Sequence, residues 1–340
     1  MKATTWMCAL LLVCAGGSRA DDGGSKGEDP GPYLSAQLGG GRIDGGNASG
    51  NRWMRSRAGE YRFGRPQGAL TGAVGGRLDV VYYNEGHPDN NHRDGFALQE
   101  VLSARTPGGR LGAELGIGPY LSMNTTFIDG RHLDDTRWGL LLSAALRIGL
   151  SDGPDGAHLR IGFNHVAMRE VHHSDALMLG FGRQFGASAP DPDTLPGIGA
   201  TWFGVSGGAA VTSMPGTGTG RITVFEASRD LNEGPAHWAG SARLLFEGSD
   251  GVRVDRRGVA GQLWYVQQVT PRFSMSAGIG PYVARNRRDD NQTRANLLMS
   301  LQAERALSDR SRVFFSFDRV KTFLRRDDRD LFLVGVRKRF

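Results

Sequence analysis

The segment from Leu111 to Met123, LGAELGIGPYLSM, sets Leu111, Ala113, Leu115, Ile117, Leu121 and Met123 on one parity and Gly112, Glu114, Gly116, Gly118, Tyr120 and Ser122 on the other. Successive residues of a β-strand point to opposite faces, so this spacing predicts a strand with one apolar face and one small or polar face. The next segment repeats it, with Trp138, Leu140, Leu142, Ala144, Leu146, Ile148 and Leu150 against Arg137, Gly139, Leu141, Ser143, Ala145, Arg147 and Gly149. Strands of globular domains usually run about 5 or 6 residues, whereas a tilted strand that crosses a bilayer needs roughly 9 to 11. These segments have the second length.

The connections alternate as well. Tight stretches, TPGGR after Arg105 and SDGPDGA after Leu150, are interleaved with the longer NTTFIDGRHLDD and the polar AMREVHHS after Val166. Short turns at one end and long polar loops at the other describe an antiparallel transmembrane β-barrel.

The pentapeptide Gly-Ile-Gly-Pro-Tyr occurs twice, with Gly116 and Gly278 162 positions apart. The match extends outward: RDGFALQ from Arg93 resembles RRGVAGQ from Arg256, FNHV from Phe163 resembles FDRV from Phe317, and DALMLGFGRQF answers DLFLVGVRKRF. The pattern predicts a tandem duplication of a module of about eight strands, with copies at 33–185 and 200–340. The Pro- and Gly-rich segment 186–199 between them reads either as a turn inside one ring or as a tether between two eight-stranded barrels. Closing everything into one ring removes every unpaired edge at once. One sixteen-stranded ring is therefore expected, with Tyr33 to Gly41 pairing against Leu331 to Phe340.

Lys2, the apolar run WMCALLLVCA and the small residues Ser18 and Ala20 read as a secretory signal peptide over residues 1–20. A lipoprotein site at Cys14 fits less well, because Val13 stands where a small residue is expected. The polar stretch 21–32 shows no periodicity and reads as a disordered periplasmic tail. Both cysteines, Cys8 and Cys14, lie in the leader, which excludes a disulfide framework, a thiol nucleophile and thiolate metal sites from the remainder. Without Lys2 and Arg19 the formal charge falls from +6 to +4. That mild excess suits anionic lipid headgroups better than nucleic acid in an exported protein.

Phe340, with Val336, Val334 and Phe332 on alternating positions before it, resembles the C-terminal signature of Gram-negative outer-membrane barrels, although Lys338 is charged where an apolar residue is commoner. The resemblance implies the outer membrane as location, with barrel-assembly machinery, outer-membrane lipids and lipopolysaccharide as partners. Each copy also resembles the eight-stranded lipid A deacylases, which carry Phe-x-His-x-Ser-Asn near the outer end of the seventh strand, followed by an acidic residue. FNHVAM aligns His165 with that histidine, but Ala167 stands at the serine and Met168 at the asparagine. FDRVKT has Arg319 for the histidine and Lys321 for the serine. A serine hydrolase needs a hydroxyl within hydrogen-bond reach of its base, so the resemblance implies shared fold ancestry more than activity.

Among candidate sites, the run HHSD from His172 to Asp175 puts histidine, serine and acid side by side; His165, Ser174 and Asp175 are the residues to examine if the chain is an enzyme. Neighbours on a strand face opposite ways, so the run cannot by itself assemble a triad. His165, His172 and His173 follow no closed metal-site spacing, and no metal or cofactor is expected. GTGTGR near Gly216 lacks the Lys-Ser/Thr of a phosphate loop and reads as a turn. If Leu115 and its parity face lipid, then Gln99, Glu114, Tyr120, Arg147, Gln262, Tyr282, Glu304 and Asp318 face inward, as pore lining in a wide ring or as paired charges in a narrow one. Glu100 falls on the lipid parity, which points to a bulge or to a place near the headgroups.

The expectation is an all-β integral outer-membrane protein and not an enzyme: a pore or export conduit for polar solutes, with polysaccharide and periplasmic export partners suggested only by analogy with other large barrels. The rival is a lipid A deacylase-like hydrolase or its inactive structural descendant.

Overall fold

A computed structural model describes residues 31–44, 52–71, 74–86, 91–106, 108, 110–128, 131–150, 156–169, 173–186, 199–212, 216–323 and 327–340. The leader, most of the tail 21–32 and of the linker 186–199, and His172 lie outside the described residues.

Strands make up the whole regular structure of the described residues. The first unit holds β1 (Tyr33–Ile43), β2 (Ser56–Thr71), β3 (Val74–Gly86), β4 (Asn91–Arg105), β5 (Leu111–Ile128), β6 (Arg131–Gly149), β7 (Ala157–Met168) and β8 (Ser174–Gln184). The second holds β9 (Thr201–Thr212), β10 (Thr219–Asp230), β11 (Ala236–Glu247), β12 (Arg256–Thr270), β13 (Phe273–Asn286), β14 (Thr293–Ser308), β15 (Ser311–Lys321) and β16 (Arg329–Arg339). Within each unit every strand pairs antiparallel with its sequence neighbours, and the last returns to the first.

The single ring of sixteen strands is therefore corrected: the chain closes twice. β1 runs against β8 from Tyr33↔Gln184 to Ile43↔Ser174, and β9 against β16 from Thr212↔Arg329 to Trp202↔Arg339. Removing edges does not require one large ring, because each copy of eight strands already has a matching first and last strand. Eight strands also leave an interior that side chains can fill, and the inward parity here is built for that, with glycines between a few long polar residues.

Alternation sets what faces where. Leu115, Ile117, Leu140, Leu142 and Leu146 of the first barrel are exposed on its outer wall, as are Phe225, Leu244, Val259, Leu263 and Val334 on the second. Their strand neighbours are buried inside. The β2–β3, β4–β5 and β6–β7 connections of the first barrel gather at one end, the turn end, and the opposite end is the loop end. The stretch NTTFIDGRHLDD, expected as a long loop, is mostly strand: β5 and β6 stay paired out to Ile128↔Arg131. Of the two readings of Glu100, the bulge does not hold, since Glu100 pairs in register with Leu78 and Ile117.

The duplicated Gly-Ile-Gly-Pro-Tyr occupies the same place in both barrels. In β4–β5 the ladder carries Ala97↔Tyr120 and Glu100↔Ile117 but not the two pairs between. In β12–β13 it carries Ala260↔Tyr282 and Leu263↔Ile279, with the same gap. Pro119 and Pro281 have no N–H to give there. The glycine before each proline allows very close approach: a Cβ on Gly118 would lie 2.0 Å from the Leu98 carbonyl oxygen, and one on Gly280 would lie 1.8 Å from that of Gly261.

Candidate functional site

The inward residues of the first barrel sort into layers. Toward the turn end lies a network of charges. Arg62 donates to both oxygens of Glu60 at 3.0 Å and to Asp79 at 3.0 Å. Arg77 holds Asp79 at 2.6 and 2.9 Å. Glu114 accepts from Arg77 at 2.9 Å, Arg160 at 3.0 Å and Arg147 at 3.3 Å. Arg160 also reaches Glu60 at 3.0 Å, and Asn164 donates to it at 2.7 Å. Gln99 accepts from Arg62 and Ser143 and donates to the Leu141 carbonyl at 3.0 Å. Every charged side chain named here is buried. Burial of so many charges is tolerable only because each has partners of opposite sign and good geometry.

Toward the loop end the same interior turns apolar, with Ala58, Val81, Ala97, Leu141, Val166, Ala176 and Met178 in one buried cluster. Above it Tyr120 donates to Glu85 at 2.9 Å, and Arg93 pairs with Glu85 at 2.9 Å.

The second barrel uses other residues to the same end. Arg243 joins Asp318 at 2.8 Å, Glu226 at 3.2 Å and Gln262 at 2.9 Å. Gln262 donates to Ser300 at 2.9 Å. Glu304 accepts from Arg312 at 2.7 Å and from Arg337. Ala210, Ile222, Val224, Leu245, Ala260, Leu298, Val320, Leu331 and Leu333 form the buried apolar cluster. Tyr282 donates to Glu247 at 2.8 Å, and Arg256 holds Glu247 at 2.9 and 3.0 Å. Gln99, Glu114, Tyr120 and Arg147 are thus brought together in one barrel, and Gln262, Tyr282, Glu304 and Asp318 in the other. Their side chains hydrogen-bond or pair with other residues of the same barrel.

The enzyme candidates lie at the loop-end rim of the first barrel. His165↔Asp175 and Val166↔Ser174 are consecutive cross-strand pairs, so the faces alternate. His165 Nδ1 is 2.8 Å from Asp175 Oδ1 on the outer face, where its side chain is 33% exposed. Asp175 also accepts from Arg42 at 2.8 Å. Ser174 points inward and is buried. The three residues do not converge. His173 stacks against His165 at 5.9 Å between ring centroids, and an open cleft of about 460 Å³ beside Asp175 is lined by Arg42, Trp53 and Phe163 as well. The second barrel has Arg319 and Asp330 at the corresponding cross-strand register, with Nη1 and Oδ1 2.7 Å apart. Among the described residues no group of three or more His, Cys, Asp or Glu side chains is arranged to hold a metal ion.

Sequence reasoning missed Glu60, Arg62, Arg77, Asp79, Arg160 and Arg243. The signal was present in the parity of GEYRF and GRLDVV, where a charge recurs every second residue beside apolar or aromatic neighbours. Arg42 had no such signal, because its partner comes from a strand more than a hundred positions away.

No protein-family model matches the chain, and no curated protein matches it. Among solved structures, the N-terminal β-barrel domain of Pseudomonas aeruginosa OprF is 16% identical, covering 47% of this chain and 100% of that domain with a TM-score of 0.35. Ail, the attachment invasion locus protein of Yersinia pestis, is 11% identical over 46% of this chain and 99% of its own, with a TM-score of 0.34. An outer membrane channel from Pseudomonas putida F1 is 10% identical over 95% of this chain and 100% of its own, with a TM-score of 0.23.

Proposed function

We propose that this chain is an integral outer-membrane protein in which two small barrels, each filled by its own side chains, act as closed membrane scaffolds. The outward band of leucine, isoleucine, valine and aromatic side chains meets lipid, and the polar loop end meets the headgroups and lipopolysaccharide. The observation that carries the reading is Glu114, held by Arg77, Arg147 and Arg160 inside the first barrel. A hydrated conduit for solutes or polysaccharide needs charges that face water. Here a polar solute would have to part a set of buried ion pairs and then cross an apolar layer. Purified protein in planar bilayers tests this: no stepwise conductance is expected, and reproducible single-channel steps from the wild type would restore the conduit.

One observation favours a second reading, a lipid A deacylase-like hydrolase: the His165–Asp175 pair on the outer face has the form of a base with its orienting acid. The nucleophile is the missing part, with Ala167 at the expected position and Ser174 on the opposite face. Release of acyl chains from lipid A, abolished by His165→Ala, would establish this reading.

A further inference from the structure

Glu100 sits on the outer face of β4 between Leu98 and Leu102, which are 49% and 48% exposed. Across the strands its neighbours on that face are Leu78 and Ile117, 36% and 54% exposed. Ile117 belongs to the exposed run of β5 from Leu111 to Pro119, so the exposed carboxylate lies within the apolar band. A charge at that depth is costly on a wall that meets only lipid, and an ionisable residue there marks a functional contact.

Glu100 has company. Arg65 of β2 pairs in register with Leu78 and is likewise exposed. Arg65, Leu78 and Glu100 thus form a row across three adjacent strands, cationic at one end, apolar in the middle and anionic at the other, roughly 10 Å from end to end. Gly76, two residues before Leu78 on this face, lies beneath the Gln67 and Glu100 side chains: a Cβ there would lie 3.4 Å from Gln67 Oε1 and 3.5 Å from Glu100 Oε1. Among the described residues neither Arg65 nor Glu100 has an ion-pair partner.

We propose that this row is a self-association face within the membrane, occupied by a second copy of the chain. The inference rests on the reading that the apolar band meets lipid. A two-fold axis along the membrane normal, passing beside Leu78, reverses the row in the membrane plane and brings Arg65 of each copy to the side of Glu100 of the other. The strand tilt of roughly 35–45° leaves the two positions about 6 to 7 Å apart in height, a gap that the long arginine side chain spans. The contact is isologous and self-complementary. Two ion pairs form in a medium of low dielectric constant, where opposite charges attract far more strongly than in water. A lipid-only environment would leave both charges without a counterpart.

The test is disulfide trapping in native membranes. Cys8 and Cys14, the two natural cysteines, are replaced by serine, and Leu78→Cys is introduced. Mild oxidation is expected to give a covalent dimer at least tenfold more abundant than with Leu146→Cys, which lies on an outer-wall strand away from the row. Glu100→Arg and Arg65→Glu should each reduce trapping about tenfold, and the two together should restore it. Glu100→Gln serves as a milder variant, and heat-modifiable gel migration checks that each barrel is closed. Trapping at Leu78→Cys no greater than at Leu146→Cys, in protein that resists carbonate extraction, overturns the dimer and leaves the membrane reading standing. Loss of the protein to the carbonate wash overturns both.

Discussion

Tyr282 donates its phenolic hydroxyl to Glu247 at 2.8 Å, and Tyr120 donates to Glu85 at 2.9 Å in the other barrel. The tyrosine that ends each Gly-Ile-Gly-Pro-Tyr is therefore the donor of a repeated Tyr–Glu–Arg unit, completed by Arg93 in one copy and Arg256 in the other. The module was duplicated together with this buried contact.

Tyr120→Phe and Tyr282→Phe each remove one hydrogen bond to a buried carboxylate while keeping the ring. Losing a partner of a charged group costs about 1 to 3 kcal/mol. Because each barrel closes on itself, each variant should shift the urea transition of its own barrel and leave the other alone. The readout is folding into lipid vesicles followed by a tryptophan reporter in each copy. Equal shifts of both transitions would contradict independent closure.

Gly118→Ala and Gly280→Ala should prevent or strongly impair barrel closure, since the new methyl group would meet a backbone carbonyl oxygen at 2.0 and 1.8 Å. Gly240→Ala is the control, with nothing within 4 Å of its added Cβ. Heat-modifiable migration in gels separates closed from open barrels. Normal closure of Gly118→Ala would mean that the strand crossing at Pro119 is looser than described.

Much of this was legible in the alternation. LGAELGIGPYLSM and RWGLLLSAALRIG state both the strand and its two faces, because the period of two survives wherever one wall is apolar. The number of rings was not legible: the apolar parity of DALMLGFGRQF and DLFLVGVRKRF is the same whichever first strand they meet. The filling of the interior was half legible. Glu114 and Arg147 were placed on the inward face, but whether they meet water or one another depends on ring diameter. The separation of Ser174 from His165 was legible in the one-residue step from Ser174 to Asp175.

Glu114→Gln should destabilise the first barrel more than a surface change of the same size, by about 3 to 5 kcal/mol, because three guanidinium groups lose their shared carboxylate in a buried site. Leu115→Arg, one residue on and facing outward, is expected to cost on the order of 2 to 4 kcal/mol by putting a charge into hydrocarbon. Detergent tells them apart: a micelle can reshape around a new charge on the outer wall but cannot reach Glu114. The cost of Leu115→Arg should therefore shrink in detergent relative to vesicles, and that of Glu114→Gln should not. Similar behaviour of both variants in the two media would deny the inward and outward assignment.

The last prediction concerns Asp250, in the loop between β11 and β12. Its Oδ1 accepts from the backbone N–H groups of Val252, Arg253 and Val254 at 2.9, 2.7 and 3.0 Å, and its Oδ2 accepts from Thr212 at 2.7 Å. Burial alone would raise the pKa of the carboxyl, but these hydrogen bonds favour the charged form and hold it at about 2, against 3.8 for a free aspartate. A depressed pKa means that the folded loop binds the proton less readily than the unfolded chain does. The stabilisation is therefore fully present above about pH 4 and is lost as the pH falls through about 2. Hydrogen exchange at Val252, Arg253 and Val254 reads this directly: after correction for intrinsic rates, protection should be constant from about pH 7 to 5 and fall between about pH 4 and 2. Asp250→Asn should show weak protection throughout and no step in that window. A step of the same size in the variant would assign the transition to another group.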